Sequence, residues 1–373
     1  MRSASVLLLA LTSLLLACPK QEPTVLLGEI GSLTGSEATF GISTQRGIAL
    51  AVAEANADGG IRGVKLALRV YDDQGRADEA ANAATRLINQ DHAVAILGEA
   101  ASSNSMAIAD RAQAFKTPQV SPSSTNPAYT EKGDYIFRVC FIDPFQGEVM
   151  ARFAHDQLML KHVAVLVDVK SAYSLGLAEV FTRKFEELGG HIDGRESYGK
   201  GDSDFRSQLT RVKGSHPEAL FVPGYYSDVA VMARQKRELG MTVPMLGGDG
   251  WDSAELFKLA GGALEGSYFS NHYSSEDPNP DVQDFLKRYR AAYSAEPESV
   301  SVLGYDAANL VIDALRRAKD TSGPALRDEI ANGGEARGVG GAFRLDAHRN
   351  AIRPAVVLKI EGKHAKFVTR LGP

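Results

Sequence analysis

Short apolar segments and amphipathic helices alternate along most of this chain, and the alternation constrains the fold more than any other feature. In the first half, strand patterns occur at 24–30, 64–70, 93–97, 119–120 and 135–140, and helical patterns separate most of them. Strands that alternate with helices form a parallel sheet covered by helices on both faces. The sequence therefore predicts an α/β fold with a doubly wound parallel sheet.

The same alternation restarts after Ile142 and predicts a second unit of the same kind. Apolar strands at 162–167, 218–222 and 243–246 are each followed by a loop and a helical pattern. The last third of the chain contains helices and only a few strand-like segments. Because this is too little for an independent core, we expect it to complete the two earlier sheets.

This reading predicts two lobes joined by a hinge of several chain segments. We expect the chain to cross between the lobes near Asp143, near Asn271 and near Arg353. The predicted boundaries are 24–142 plus 272–351 for lobe 1, and 143–271 plus 352–373 for lobe 2.

The stretch from Leu97 to Pro127 carries the strongest binding signal. Ser102 stands at or near the start of a helical pattern, and a second strand runs into a hydroxyl-rich segment that contains Ser123, Ser124 and Thr125. Strand ends of a parallel sheet meet at one edge, where free N–H groups at a helix start attract anions. The alternative explanation is ordinary helix capping followed by a turn.

The N-terminus is typical of an export signal. Arg2 precedes an apolar run, Val6–Leu16, that is too short to span a bilayer comfortably. We predict a signal peptide at 1–17. The segment Leu15–Cys18 resembles a bacterial lipobox, so we predict a lipidated tether at 18–23, anchored to the membrane through Cys18; the alternative is a plain secretory signal.

Several motifs in a consistent order resemble the leucine/isoleucine/valine-type substrate-binding proteins of ABC transporters, which have the type I periplasmic-binding fold. The motifs are Gly28–Gly35, Asn56–Gly63, Tyr71–Gln74, Ser102–Ser103 and Ser121–Pro127. The resemblance covers nearly all of the chain after the signal. It implies an extracytoplasmic, periplasmic or cell-surface protein without a cofactor, which captures a branched-chain or related amino acid and delivers it to the membrane subunits of an ABC permease.

The resemblance also implies roles for individual residues. It places Ser102 at the ligand's α-carboxylate, with Ser123 and Thr125 as further contacts of lobe 1 and Ser124 in the same segment. The acid at the α-ammonium would be Asp249, where the branched-chain binders have Glu. Other side chains fall at the pocket wall or close to the acid, namely Phe40, Tyr173, Tyr225, Val300 and Trp251.

Simpler explanations exist for some of these residues. Asp249 could cap the helix that starts near Ser253, and Phe40 could be a staple residue at a helix start. Tyr173 and Tyr225 could be half-buried surface residues. The pair Asp72–Asp73 has no suitably spaced His or further acid, so we expect a solvated strand end and no metal site.

Other classes of function find little support. The formal net charge of −5 gives no reason to expect a nucleic-acid partner. The sequence contains none of the hydrolase, metalloprotease or phosphate-loop motifs, so we expect no enzyme. A repressor of this fold would begin with a basic helix-turn-helix, where this chain has an export signal. The alternative that stays open is a ligand-sensing receptor for amino acids, amides or other small carboxylates, coupled to a membrane signalling protein.

Overall fold

The computed structural model describes residues 23–373. The predicted signal peptide and Cys18 lie outside the described residues. Within 23–373, no helix has the length and apolar character needed to cross a membrane.

Five parallel strands form the first sheet, in the order β2-β1-β3-β4-β5. Strands β2 and β5 lie at the two edges of this sheet. The strands are β1 (Thr24–Gly31), β2 (Lys65–Asp72), β3 (Ala95–Gly98), β4 (Gln119–Ser121) and β5 (Ile136–Arg138).

Helices cover both faces of the first sheet, because each helix turns an apolar stripe toward the buried strands. One face packs against helices from opposite ends of the chain, and the other against helices that connect neighbouring strands. The first face carries α1 (Ala38–Ala57), α10 (Ser299–Arg317) and α11 (Gly323–Asn332); the second carries α2 (Ala77–Asn89) and α3 (Ser102–Phe115).

The turn from β3 into α3 depends on a glycine. Gly98 has a φ of +105°, and a Cβ at this position would lie 2.1 Å from the carbonyl oxygen of Ile30 in β1. Only glycine tolerates both the left-handed backbone and this close approach. The turn brings Ala100 and the start of α3 to the carboxyl edge of the sheet.

Seven strands form the second sheet, in the order β14-β13-β10-β9-β8-β6-β7. Strands β6 to β10 run parallel, whereas β13 pairs antiparallel with both β10 and β14. The strands are β6 (His162–Asp168), β7 (His191–Tyr198), β8 (Ala219–Phe221), β9 (Met245–Gly247), β10 (Tyr268–Asn271), β13 (Ala355–Glu361) and β14 (His364–Leu371); a small separate ribbon consists of β11 (Arg344–Leu345) and β12 (Ala351–Ile352).

The second sheet is also covered on both faces. Its helices are α4 (Asp143–Arg152), α5 (Ala172–Glu187), α6 (Arg206–Gly214), α7 (Tyr226–Glu238) and α8 (Ala254–Ala260), and α9 (Pro280–Tyr293) packs beside α1 and α10. The fold is thus the predicted α/β architecture with two lobes, each built on its own sheet.

The chain passes between the lobes three times. It leaves the first sheet after β5, returns after β10 to form α9, α10 and α11, and enters the second sheet again at β13. The exact lobe boundaries given above stay predictions.

Candidate functional site

A small, narrow and partly open cavity lies between the two lobes. Both lobes supply its walls, at the edges where the parallel strands end. Six of the predicted site residues line it, namely Phe40, Ser123, Tyr173, Tyr225, Asp249 and Val300, and they are joined there by Ala100, Gly250 and Ser299.

Aromatic rings from both lobes make the apolar part of the wall. The rings of Tyr173 and Tyr225 stack with centroids 5.2 Å apart and an interplanar angle of 17°. Phe40, at the start of α1, meets Tyr225 edge-on at 5.9 Å and Tyr226 at 5.1 Å. The Tyr173 hydroxyl accepts a hydrogen bond from Gly250 N at 3.2 Å, and burial raises the pKa of Tyr173 well above its ordinary value. These tyrosines are therefore neutral wall residues of a buried site.

The hydroxyl segment after β4 is held by its own side chains. Ser123 lines the cavity and donates to Ala100 O at 3.2 Å. Ser124 is fully buried, and its hydroxyl lies 2.6 Å from the Ser105 hydroxyl. Ser124 therefore supports the segment from inside the lobe.

Ser102 and Thr125 lie just outside the residues that line the cavity. The Ser102 oxygen accepts from Asn126 N at 3.3 Å, which leaves its own hydrogen without an acceptor in the described residues. The Thr125 hydroxyl is buried and faces the Asp143 carboxyl group, whose pKa it lowers as a hydrogen-bond donor. Ser102 is the first residue of α3, whose first-turn N–H groups have no partner within the helix. This corner of lobe 1 therefore contains hydrogen-bond donors that have no acceptor among the described residues.

Asp249 supplies the acid of the opposite lobe. Its side chain is 7% exposed, and its Oδ2 lies 3.0 Å from Nε2 of His272. Its Oδ1 is buried and has no hydrogen-bond partner among the described residues. Asp249 does not cap α8, because the Ser253 hydroxyl accepts from Glu255 N and takes that role. The carboxylate is therefore available to a ligand.

Trp251 does not line the cavity. It is fully buried in the core of lobe 2, and its Nε1 donates to Val222 O at 3.0 Å. An indole N–H needs an acceptor when it is buried, and this bond turns the ring into the core.

A second acid lies close to Asp249. Asp143 is completely buried, and its Oδ1 accepts from Gln146 Nε2 at 2.8 Å. Burial, followed by the nearby negative charge of Asp249, raises the pKa of Asp143 to about 7. Asp143 is therefore a second buried acid near Asp249, although it does not line the cavity.

Sequence reasoning missed His272 as a site residue. It directly follows β10, which pairs in parallel with β9, and β9 leads into Asp249. Residues that follow neighbouring parallel strands meet at one edge of a sheet. The pairing of β9 with β10 is the signal that would have found it.

The lobes also touch each other outside the cavity, so the structure is a closed form. Lys200 of lobe 2 reaches Glu37 and Gly75 of lobe 1, with Nζ 2.8 Å from Glu37 Oε1 and 3.0 Å from Gly75 O. We call these three residues the Lys200 clasp. The start of α5 meets Ser103 and Asn126 through the backbone of Ala172.

A further contact is a reciprocal pair of carboxylate bonds. Glu298 of lobe 1 accepts from Ala254 N of lobe 2 at 2.9 Å, while Asp252 of lobe 2 accepts from Ser299 N of lobe 1 at 2.6 Å. Burial, followed by the negative charge of Asp252, raises the pKa of Glu298 to about 7.

The structure assigns no metal or thiol chemistry to this region. Among residues 23–373, no three His, Cys, Asp or Glu side chains are placed to hold a metal ion. Cys140 is a free, buried thiol, and burial raises its pKa to about 12. A thiol of that pKa stays protonated and behaves as a small apolar residue.

Two α/β lobes that close over a small cavity of polar and aromatic side chains define a class of proteins that bind a solute between their lobes. The family described as periplasmic binding protein matches residues 24–365. This chain belongs to that family, which confirms the resemblance.

Relatives and solved structures agree with this assignment. A Pseudomonas aeruginosa protein named amino acid binding protein is 32% identical over 80% of each chain, and a Brucella melitensis Leu/Ile/Val-binding protein homolog is 29% identical over 81% of each. A leucine-binding protein from Thermotoga maritima superimposes with a TM-score of 0.90 at 37% identity, covering 94% of this chain and 99% of that chain. A branched-chain amino acid transporter substrate-binding protein from Streptococcus pneumoniae, solved with isoleucine, gives a TM-score of 0.89 at 31% identity, covering 94% and 100%.

Proposed function

We propose that this protein captures an amino acid with a branched-chain or similar apolar side chain between its lobes and delivers it to an ABC permease. The observation that carries the proposal is the buried Asp249 Oδ1, which has no partner among the described residues and belongs to a cavity-lining side chain. A buried carboxylate oxygen without a partner is costly unless a ligand supplies a donor. An α-ammonium group is such a donor.

The opposite corner offers what an α-carboxylate needs. The free hydrogen of Ser102 and the first N–H groups of α3 are hydrogen-bond donors close to Ala100, which lines the cavity. Charge-assisted hydrogen bonds to a desolvated ligand contribute on the order of 1.5–3 kcal/mol each. The two ends of a zwitterion would therefore hold the two lobes together.

The apolar wall of the cavity favours certain ligand side chains. Phe40, Tyr173, Tyr225 and Val300 leave a narrow space that suits a compact apolar side chain. The bound isoleucine of the Streptococcus pneumoniae relative supports the same class of ligand.

Calorimetry with purified protein tests the proposal directly. We expect leucine, isoleucine or valine to bind and to raise the melting temperature, since a ligand at a hundredfold over its Kd adds about 2.7 kcal/mol of stability. Asp249→Asn keeps the shape but removes the charge, and should weaken binding at least tenfold, about 1.4 kcal/mol. Unchanged affinity of Asp249→Asn would remove this acid from the ammonium site. Absence of binding by all three amino acids would refute the ligand class.

We also propose, from the lipobox at Leu15–Cys18, that the protein acts outside the cytoplasm and is tethered to the membrane by a lipid on Cys18. Cys18→Ser should then move the protein from the membrane fraction to the soluble fraction. Retention of Cys18→Ser in the membrane fraction would contradict the lipid anchor.

A further inference from the structure

The best-supported further role belongs to His272, which lies against the proposed ammonium site but does not line the cavity. Its side chain is 2% exposed, and its Nε2 lies 3.0 Å from Asp249 Oδ2. The ring is therefore shielded from solvent together with the acid that it touches.

The geometry fixes which way the histidine faces. Its ring stacks on Phe141 with centroids 3.8 Å apart and an interplanar angle of 24°. Its backbone N donates to Asn271 Oδ1 at 2.8 Å, which holds the start of the loop after β10. A stacked ring on an anchored backbone has little freedom to turn away from Asp249.

The chemistry of the pair fixes where the hydrogen lies. An ionised carboxylate only accepts hydrogen bonds, so the hydrogen on the His272 side must sit on Nε2. Nδ1 is buried without a partner among the described residues, which suits the lone pair of a neutral ring. A neutral ring leaves the full negative charge on Asp249 for a cationic ligand group.

The Asp249 carboxylate needs the hydrogen bond from His272 for two reasons. Its arm is one methylene shorter than that of the glutamate implied by the family resemblance, so its reach depends more strictly on how the carboxylate is turned. The second buried acid, Asp143, repels a negative charge at Asp249. A hydrogen bond from His272 offsets this repulsion and holds Oδ2, so that Oδ1 is the oxygen left for the ligand.

We propose that His272 is a positioning residue, which holds the Asp249 carboxylate through Nε2 and thereby gives the cavity its selectivity for a ligand that carries an α-ammonium group. The inference rests on the proposed function, because it deepens the role given there to Asp249.

Two substitutions separate the hydrogen bond from the packing. His272→Phe keeps a ring that can stack on Phe141 but has no N–H, whereas His272→Gln keeps an N–H donor and loses the ring. The probes are L-isoleucine and 3-methylpentanoate, which has the same carbon skeleton without the ammonium group. Affinities are measured by calorimetry, and melting temperatures of the free proteins report the effect on folding.

We expect His272→Phe to weaken L-isoleucine binding at least tenfold. The ratio of the affinity for L-isoleucine to the affinity for 3-methylpentanoate should therefore decrease. We expect His272→Gln to recover most of the lost affinity, to within about threefold of the unaltered protein. Equal affinities of His272→Phe and the unaltered protein would overturn the inference. So would equal losses in His272→Phe and His272→Gln, because packing alone would then explain the effect.

Asp249→Asn distinguishes failure of this inference from failure of the proposed function. If Asp249→Asn weakens L-isoleucine binding and His272→Phe does not, only the positioning role is overturned. If neither variant weakens it, the proposed ammonium site fails, and the inference with it.

A measurement on the unaltered protein covers the case in which the Phe variant does not fold. NMR of protein labelled with nitrogen-15 in histidine should show His272 as the neutral tautomer with its hydrogen on Nε2. A hydrogen on Nδ1 instead would overturn the proposed hydrogen bond.

Discussion

The Lys200 clasp gives the most quantitative prediction about closure. Lys200→Met keeps most of the apolar stem and removes the ammonium group that reaches Glu37 and Gly75. Glu37 is 3% exposed, so the substitution leaves a buried carboxylate without its cation, next to the negative charges of Asp73 and Asp168.

The size of the effect follows from burial. Breaking a fully buried ion pair costs about 3–5 kcal/mol, whereas exposed pairs contribute about 0–1 kcal/mol. Lys200 is 31% exposed and Glu37 is nearly inaccessible, so we place the loss at about 1–2 kcal/mol of the closed form, between those limits. That free energy is a factor of about 5–30 in the ratio of closed to open protein.

The loss should appear in ligand affinity, because the ligand contacts both lobes only when they are closed. We expect the Kd for L-isoleucine, measured by calorimetry, to rise about 5- to 30-fold in Lys200→Met. Lys258→Met is the matched control, since Lys258 is 74% exposed and pairs within lobe 2 only.

A double-mutant cycle tests the assigned cause. Glu37→Gln alone should also weaken binding, and the double variant should lose much less than the sum of the two single losses. Strictly additive losses would refute the reasoning, because they would mean that the two side chains do not stabilise closure through each other.

Two further predictions concern stability and are checked by calorimetric melting. The pKa of Glu298 is raised to about 7 by burial, so the contribution of Glu298 to stability is fully present below its ordinary pKa of 4.5 and is lost as pH rises through 7. The melting temperature should therefore fall between pH 5.5 and 7.5. A pH dependence of the melting temperature in Glu298→Gln as large as in the unaltered protein would contradict this. Gly47→Ala should destabilise the protein by about 1–3 kcal/mol, because the added Cβ would lie 2.0 Å from Ser301 O in α10, whereas Gly214→Ala, with open space around it, should not; equal melting temperatures for the two variants would count against tight packing of α1 on α10.

The pattern of apolar residues was sufficient to predict the layered fold. Helix α2, for example, buries Ala80, Ala84 and Leu87 at helical spacing, which is the periodicity that predicts a helix. The late strands β13 and β14 extend the second sheet, as expected for segments without a core of their own. The periodicity of apolar residues can be seen in the local sequence, so the layered fold can be predicted without knowledge of the packing.

The site was less accessible to such reasoning. The family resemblance placed Phe40, Tyr173 and Asp249 near one another, and the structure brings all three to one cavity. It could not foresee that Trp251 turns inward to reach Val222 O, since that choice depends on an acceptor in another strand. Nor could it pair His272 with Asp249, because the order of strands in a sheet is not written in local sequence.

The long-range pairing of α1 with α10 has a consequence for how the protein comes into being. Helix α1 is synthesised early but packs against α10, which lies some 260 positions later in the chain. Strand β10 likewise pairs with β13, which is synthesised after it. Neither hydrophobic interior can be completed until the ribosome has nearly finished. A nascent polypeptide with this property stays unfolded during synthesis, which suits the passage through a secretion channel that the proposed export requires.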